Sequence, residues 1–135
     1  MNKIKILIPI YNDWQSVFKL LEKINSEVST LDGEFSLIIV NDASTEGSPE
    51  LSTDLSSLKS VSIINMKENR GHARCNAVGL KHISEKEDYD YIIPMDGDGE
   101  DRPEELRLLV EKIKDYPGEV ITANRVKRSE GFIFK

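Results

Sequence analysis

Short apolar runs alternate along the chain with longer amphipathic stretches. The short runs are rich in β-branched residues and lack strict alternation of polar and apolar positions, a pattern typical of strands that are covered on both faces. We predict five strands, at Ile4–Ile10, Phe35–Val40, Val61–Asn65, Tyr91–Met95 and Glu119–Thr122.

The longer stretches carry apolar residues at helical spacing. We predict helices at Asp13–Val28, Glu50–Leu58, Gly71–Glu85 and Pro103–Tyr116, of which the second has the weakest pattern. Alternating strands and helices predict an α/β fold with right-handed crossovers, here a Rossmann-like, doubly wound and mainly parallel sheet. No repeat or linker divides the sequence, so we expect residues 1–135 to form one domain.

Composition and charge narrow the function classes. The 135 residues are 39% hydrophobic and 31% charged, as in an ordinary globular protein. The formal charge of −6 argues against a general nucleic-acid-binding protein, which needs a basic surface. An acidic balance is compatible with binding of a divalent cation.

The single cysteine, Cys75, excludes an intramolecular disulfide and favours a reducing, cytoplasmic setting. We expect it to be a small, half-buried apolar residue rather than a nucleophile. No apolar run approaches the length of a membrane span, and the N-terminus lacks a signal-peptide pattern. We therefore expect a soluble chain, while leaving open membrane attachment of a longer protein.

Polar residues cluster where the predicted strands end. Loops often carry such residues simply because they turn. However, ligands of doubly wound sheets bind at the carboxyl ends of the strands, and several clusters at that edge predict a site. The clusters are Tyr11–Asp13, Asn41 and Asp42, Asn69–Gly71, Asp96–Glu100, and Asn124 and Arg125.

The acidic cluster is the strongest chemical feature. Asp96, Asp98 and Glu100 alternate with Gly97 and Gly99, so in extended backbone the three carboxylates share one side. Such carboxylates repel one another unless a cation neutralises them, and Mg²⁺ or Mn²⁺ prefers oxygen ligands. A solvated turn before a helix, with Asp101 as its N-cap, is the simpler alternative.

Other acidic and phosphate-binding motifs fit less well. An EF-hand loop starting at Asp96 needs Gly and Glu where the sequence has Asp101 and Arg107. A haloacid-dehalogenase-type phosphatase carries its acidic run after the first strand, and here only 37 residues follow Asp98. The chain also lacks the glycine-rich fingerprint of dinucleotide-binding domains and a Walker-type loop.

Five segments together resemble the family-two glycosyltransferases of the GT-A fold, in the family's order. They are IPIYND (8–13), IIVNDAST (38–45), NRGHARCNAVGL (69–80), MDGDGEDRPEE (95–105) and TANRVKRSEGF (122–132). Within the family, the residues of these segments are most similar to those of polyprenyl-phosphate sugar transferases. The resemblance implies a metal-dependent, inverting enzyme that moves sugar from a UDP- or GDP-sugar to an acceptor, with a polyprenyl phosphate as the best candidate.

The resemblance also implies residue roles. The Tyr11 ring would lie against the base, Asp13 and Asp42 would bind base or ribose, and Arg125 would meet a phosphate. Asp98 and Glu100, with Asp96 beside the diphosphate, would hold Mg²⁺ or Mn²⁺. The implied donor-binding set is Pro9, Tyr11, Asp13, Val40, Asp42, Asp96, Gly97, Asp98 and Arg125.

Simpler structural roles remain open for several of these residues. Tyr11 can be a strand-end aromatic, Asn12 and Asp13 can cap the first helix, and Asp42 can form an Asx-type turn. His72 can face solvent. Asn41 replaces an Asp common in the family, which puts base recognition in doubt.

The family's domain continues well past the length of this chain, so we expect the acceptor side and the general base to lie outside it, and we name no catalytic base. Two rival functions follow, namely a nucleotide-sugar-binding module without turnover and a nucleotidyltransferase. The full-length protein is expected at the inner face of the cell membrane.

Overall fold

The computed structural model describes residues 2–47, 55–95 and 105–115, without the side chain of residue 114. In chain order, the described elements are β1 (Lys3–Ile10), α1 (Trp14–Val28), β2 (Glu34–Asn41), β3 (Ser60–Asn65), α2 (His72–Lys86), β4 (Tyr91–Pro94) and α3 (Glu105–Asp115).

The four strands form one sheet in the order β3-β2-β1-β4, and all neighbouring pairs are parallel. The first three strands extend the sheet in one direction, and β4 joins on the other side of β1. The order therefore reverses between β1 and β4. At such a reversal, the connections diverge to opposite faces and leave a crevice at the carboxyl ends of the strands.

Each face of the sheet packs against helices. One core places α1 and α3 against alternate residues of the strands, including Ile6, Ile8 and Ile39. The other core places α2 against Leu7, Ile38 and their neighbours. Helices on both faces of a parallel sheet confirm the predicted doubly wound α/β class.

Strand β1 shows why its apolar run predicted a buried strand correctly. Residues 6–10 of β1 are all buried, because β1 has a strand on each side and helices on both faces. Here, the continuous apolar run correctly predicted a fully covered strand. The predicted strands at 4–10, 35–40, 61–65 and 91–95 all exist, with ends shifted by one residue at most.

Strand β3 departs from the expectation of coverage on both faces. Ser60, Ser62 and Ile63 are exposed, with 42% of Ile63 accessible to solvent. In the described part of the sheet, β3 has a neighbour on one side only. Its serines face solvent, while Val61 and Ile64 on opposite faces are partly covered by the two cores.

Three helix predictions are confirmed. Helix α1 begins at Trp14 with Asp13 in the N-cap position, and α2 begins at His72 after Gly71, whose φ of 88° a glycine adopts readily. Helix α3 covers the described part of the stretch predicted from Pro103 to Tyr116.

The helix predicted at Glu50–Leu58 is wrong over its described end. Residues 55–58 form a turn in which the Leu58 N–H donates to the Leu55 carbonyl. The Asn25 side chain on α1 accepts a hydrogen bond from the Ser57 backbone and holds this turn. The start of that predicted helix and the strand predicted at Glu119–Thr122 lie outside the described residues.

No helix within the described ranges is both long enough and apolar enough to cross a membrane.

Candidate functional site

The chain leaves β1 through three residues at the point where the strand order reverses. Tyr11 is 38% exposed, which makes it one of the few accessible large apolar side chains among the described residues. Asn12 has a φ of 58°, in the left-handed region that Asn tolerates better than most residues. Tyr11 thus lies directly after the end of β1 with part of its side chain accessible to solvent.

Asp13 occupies the N-cap position of α1, and its carbonyl accepts the N–H of Val17. Its side chain makes no capping hydrogen bond. The simple capping alternative is therefore incomplete for this residue. Its side chain is half-buried and lies two residues after Tyr11 in the sequence.

The loop after β2 is held against the end of β1. The Asp42 N–H donates to the Ile10 carbonyl at 2.8 Å, and Ala43 adopts a φ of 58°. The Asn41 Oδ1 accepts hydrogen bonds from the backbone N–H of Ser44 at 3.1 Å and from its hydroxyl. An Asx-type turn is therefore present, but Asn41 forms it, and not Asp42.

Asn12 joins the two loops. Its backbone N–H donates to the Ser44 hydroxyl at 2.9 Å, and its side-chain amide bonds to Thr45 and to the backbone of Glu46. The Trp14 indole N–H also donates to the Glu46 carbonyl, at 3.2 Å. Sequence reasoning assigned Asn12 a possible capping role and assigned none to Ser44 or Thr45. The one sequence signal for these contacts was the residue type, because Asn tolerates the left-handed backbone that position 12 adopts.

Asp42 directly follows the end of β2, at the carboxyl edge of the sheet, and its side chain is buried. It is 1% exposed, and its two carboxylate oxygens accept the backbone N–H groups of Arg70 at 2.7 Å and Gly71 at 2.9 Å. The buried Cys75 thiol also acts on this carboxylate and lowers its pKa. Asp42 thus ties the end of β2 to the start of α2.

Burial alone would raise the pKa of the Asp42 carboxyl. The N–H donors of Arg70 and Gly71, the Cys75 thiol and the nearby His72 outweigh that effect, so its pKa lies below the ordinary value. The carboxylate form is therefore the stable one. Since both oxygens accept backbone N–H groups and Asp42 is 1% exposed, the carboxylate bonds to the protein itself.

Cys75 is fully buried, and not half-buried as expected, and it packs as an apolar residue in the core beneath α2. Burial, followed by the Asp42 hydrogen bond and negative charge, raises the pKa of the Cys75 thiol to about 12. A thiol with such a pKa stays protonated at neutral pH and is a poor nucleophile.

Pro9 and Val40 are paired neighbours on adjacent strands, and both are buried. Val40 belongs to the core beneath α2. These two residues from the predicted donor-binding set are therefore placed together, but below the loops that carry Tyr11 and Asn12.

A third loop, before α2, completes the described edge. The Asn69 side chain donates to the Asp42 carbonyl at 3.3 Å. His72, the first residue of α2, is exposed, in agreement with the simpler reading that it faces solvent. Arg70 is exposed as well and pairs with Glu68 at 2.6 Å.

The predicted metal ligands Asp96, Asp98 and Glu100 lie outside the described residues, as do Gly97 and Arg125. Met95 ends the described chain before them, and its N–H donates to the Leu7 carbonyl of β1 at 2.9 Å. Met95 therefore continues the pairing of β4 with β1 for one residue past Pro94. Among the residues that are described, no group of three His, Cys, Asp or Glu side chains could hold a metal ion.

A cavity of about 280 Å³ opens at the opposite edge, near the amino ends of the strands. Its charged groups are paired, with Lys5 3.1 Å from Glu87 and Lys59 2.7 Å from Glu34. Because these lysines are already neutralised, the carboxyl edge remains the better candidate for a ligand site.

Comparison with known proteins decides the family. The family described as "Glycosyl transferase family 2" matches residues 5–135, nearly the whole chain. The chain belongs to glycosyl transferase family 2. The resemblance drawn from the five segments is confirmed.

A curated relative is the undecaprenyl-phosphate 4-deoxy-4-formamido-L-arabinose transferase of Klebsiella pneumoniae (strain 342). It is 26% identical over 137 residues, covering 100% of this chain and 40% of the relative. The chain thus spans less than half the length of this relative.

Solved structures of glycosyltransferases share the fold. S. aureus TarS in complex with UDP-GlcNAc aligns with a TM-score of 0.62 at 19% identity, over 84% of this chain and 32% of that one. The mannosyltransferase PcManGT from Pyrobaculum calidifontis, in complex with GDP-Man and Mn²⁺, aligns with a TM-score of 0.55 at 21% identity, over 72% and 28%. At these identities the likeness establishes a GT-A type fold and nothing finer.

Proposed function

We propose that this chain forms the donor-binding half of a metal-dependent, inverting glycosyltransferase that uses a UDP- or GDP-linked sugar. The observation that carries the proposal is the arrangement of the carboxyl edge. Tyr11 is accessible at the reversal of the strand order, and the loops after β1 and β2 are bonded together beside it. The relatives that bind UDP-GlcNAc or GDP-Man share this fold, which supports the nucleotide class.

The carboxylates of residues 96–100 support the metal dependence of the proposed reaction. Breaking the bond between sugar and diphosphate leaves growing negative charge on the phosphate oxygens. A cation held by Asp98 and Glu100, with Asp96 next to it, would stabilise that charge as it develops. Oxygen-only ligands suit Mg²⁺ or Mn²⁺, and Mn²⁺ accompanies GDP-Man in the mannosyltransferase neighbour.

The lipid-phosphate acceptor is the second part of the proposal. It rests on the Klebsiella relative, whose name specifies undecaprenyl phosphate. We propose a polyprenyl phosphate as the acceptor of the full-length protein, acting at the inner face of the membrane, with Arg125 as a phosphate-binding residue. Family membership argues against the nucleotidyltransferase alternative.

Calorimetric titration of UDP and GDP, with and without Mn²⁺, tests donor binding by this chain. We expect one nucleotide to bind in a metal-dependent manner, and we expect Asp98→Asn to abolish the effect of the metal. The matched control is Asp115→Asn, which removes an exposed carboxylate at the end of α3. If the folded protein binds neither nucleotide with metal present, the proposal fails.

A second candidate is a nucleotide-sugar-binding module without turnover, since the described residues include the proposed donor edge and no assigned catalytic base. Release of UDP or GDP from the donor, measured with a polyprenyl phosphate acceptor, separates the two candidates. Transfer by the full-length protein supports the enzyme. Tight donor binding without any transfer by that protein supports the module.

A further inference from the structure

Asn12 makes three hydrogen bonds across a separation of more than thirty residues. Its backbone N–H donates to Ser44 Oγ at 2.9 Å, and its Nδ2 donates to Thr45 Oγ1 at 3.0 Å. Its Oδ1 accepts the backbone N–H of Glu46 at 2.9 Å. A single residue thus bonds to three consecutive residues of the neighbouring loop.

The residue type suits this position for two separate reasons. The φ of 58° at Asn12 is costly for most side chains, but Asn tolerates it. The Asn amide also offers a donor and an acceptor at the same short reach. Gly would keep the backbone conformation but lose both side-chain bonds.

The bonded loop is in turn fixed to the next strands. Asn41 Oδ1 accepts from the backbone and hydroxyl of Ser44, and Asn41 Nδ2 donates to Asn65 Oδ1 at 3.0 Å. The bonds therefore run from the end of β1 through the end of β2 to the end of β3. Asn12 makes three of the bonds that connect the end of β1 to this series, beside those of Ile10 with Asp42 and of Trp14 with Glu46.

We propose that Asn12 is a positioning residue for the donor site, which it serves by holding the 44–46 loop against the end of β1 next to Tyr11. This inference rests on the proposed function. The role requires no contact between Asn12 and the nucleotide. We call the three hydrogen bonds from Asn12 to residues 44–46 the clamp. A loop that the clamp holds before binding loses less conformational freedom when the nucleotide binds, so the nucleotide binds more tightly.

Removal of the clamp should therefore weaken nucleotide binding by the folded protein. In Asn12→Gly the positive φ is retained and only the side-chain bonds are lost, and we expect Kd for the bound nucleotide to rise about tenfold. In Asn12→Asp the carboxylate can accept from Glu46 N–H and from the Thr45 hydroxyl, and we expect Kd to stay within about threefold of the native value.

A matched control separates positioning from general stability. Asn25 makes a comparable long-range bond, accepting the Ser57 N–H at 2.9 Å, but it does so beside the turn before β3, at the opposite end of the sheet. Asn25→Ala should lower the melting temperature and leave Kd unchanged. Asn12→Gly should raise Kd even at temperatures where circular dichroism shows it to be fully folded.

The experiment is calorimetric titration of the 135-residue chain with UDP and with GDP, both in the presence of Mn²⁺. If the native chain binds and folded Asn12→Gly binds equally well, the inference is overturned while the proposed function stands. If the native chain binds neither nucleotide, both fail. Should Asn12→Gly not fold, Thr45→Val removes one exposed partner of the clamp, and an unchanged Kd for that variant overturns the inference.

Discussion

The buried carboxylate of Asp42, at the end of β2, accepts the backbone N–H of Gly71 at 2.9 Å, directly before α2 begins. Its other oxygen accepts the backbone N–H of Arg70 at 2.7 Å, and the Cys75 thiol also lowers the pKa of this carboxyl. The arrangement fixes the start of α2 relative to the sheet. Asp42 therefore acts as a structural anchor at the same edge where the donor is proposed to bind.

Asp42→Asn should destabilise the chain by about 2 kcal/mol, because hydrogen bonds to a charged group are lost and a buried donor is left facing another. The two N–H groups reach different carboxylate oxygens, so the new amide nitrogen must oppose one of them. Urea unfolding monitored by circular dichroism measures the change. Asp115→Asn is the exposed control and should stay within about 0.5 kcal/mol of the native chain.

The stability difference between native chain and Asp42→Asn should depend on pH. The folded-state pKa of Asp42 is below its ordinary value, so its contribution is fully present above the unfolded pKa of about 3.9. It should be lost as the pH falls through the lower folded value. Unfolding free energies compared from pH 7 downward test this, and a difference that grows on acidification would contradict it.

Cys75 should resist modification in the folded chain. With its pKa raised to about 12, the thiolate fraction at pH 8 is more than about a thousandfold below that of an ordinary cysteine. We expect the reaction with a disulfide reagent to be slow in buffer and rapid in denaturant. Stopped-flow absorbance provides the rates, and equal rates under both conditions would contradict the burial and the Asp42 contact.

Ala43→Gly should stabilise the chain. The left-handed backbone at Ala43, with φ of 58°, costs a non-glycine residue about 1–2 kcal/mol. The greater freedom of glycine in the unfolded chain offsets about 0.5–1 kcal/mol of this gain. We expect a net increase of about 0.5–1 kcal/mol in the free energy of unfolding.

The control for this prediction is Ala77→Gly, at an exposed position within α2. The same substitution there should destabilise the chain by about 1 kcal/mol, because glycine is a poor helix former. Chemical denaturation of both variants compares them directly. Changes of the same sign would show that the backbone of Ala43 is not strained.

The sequence predicted the fold well because burial on both faces leaves a continuous apolar signal. Strands β1 and β2 have neighbours on each side and were found within one residue of their ends. The turn at 55–58 was mistaken for helix because its leucines are spaced as on a helix, although they pack against the sheet core from a turn. Local propensity does not reveal such tertiary contacts.

The sequence predicted which polar residues lie at the carboxyl edge of the sheet. It did not predict the hydrogen bonds that these residues make with one another. Strand-end clusters correctly brought Tyr11, Asn12 and Asp42 to one edge. However, the turn that local sequence assigned to Asp42 is formed by Asn41, and Asp42 bonds to the start of α2 instead. The bonds of Asn12 and Asp42 span about thirty residues, and no short-range pattern encodes such pairings.

Gly79 allows α2 to approach the sheet closely. A Cβ at this position would lie 2.3 Å from Leu7 Cδ1 and 3.2 Å from Leu7 Cγ. Leu7 is fully buried among Ile38, Cys75 and other core residues, so its side chain has little room to move. Gly79→Ala should therefore destabilise the chain by about 1–2 kcal/mol, since overpacking outweighs the gain of about 1 kcal/mol in helix propensity.

A double-mutant cycle isolates this contact. Leu7→Ala alone should cost about 2–5 kcal/mol through the lost buried side chain and the resulting cavity. In that background the clash is gone, so adding Gly79→Ala should be neutral or raise stability by up to about 1 kcal/mol. Gly47→Ala, where nothing lies within 4 Å of the new Cβ, is the control and should have little effect. Strictly additive free energies from urea unfolding would mean that α2 does not depend on Gly79 for its approach to β1.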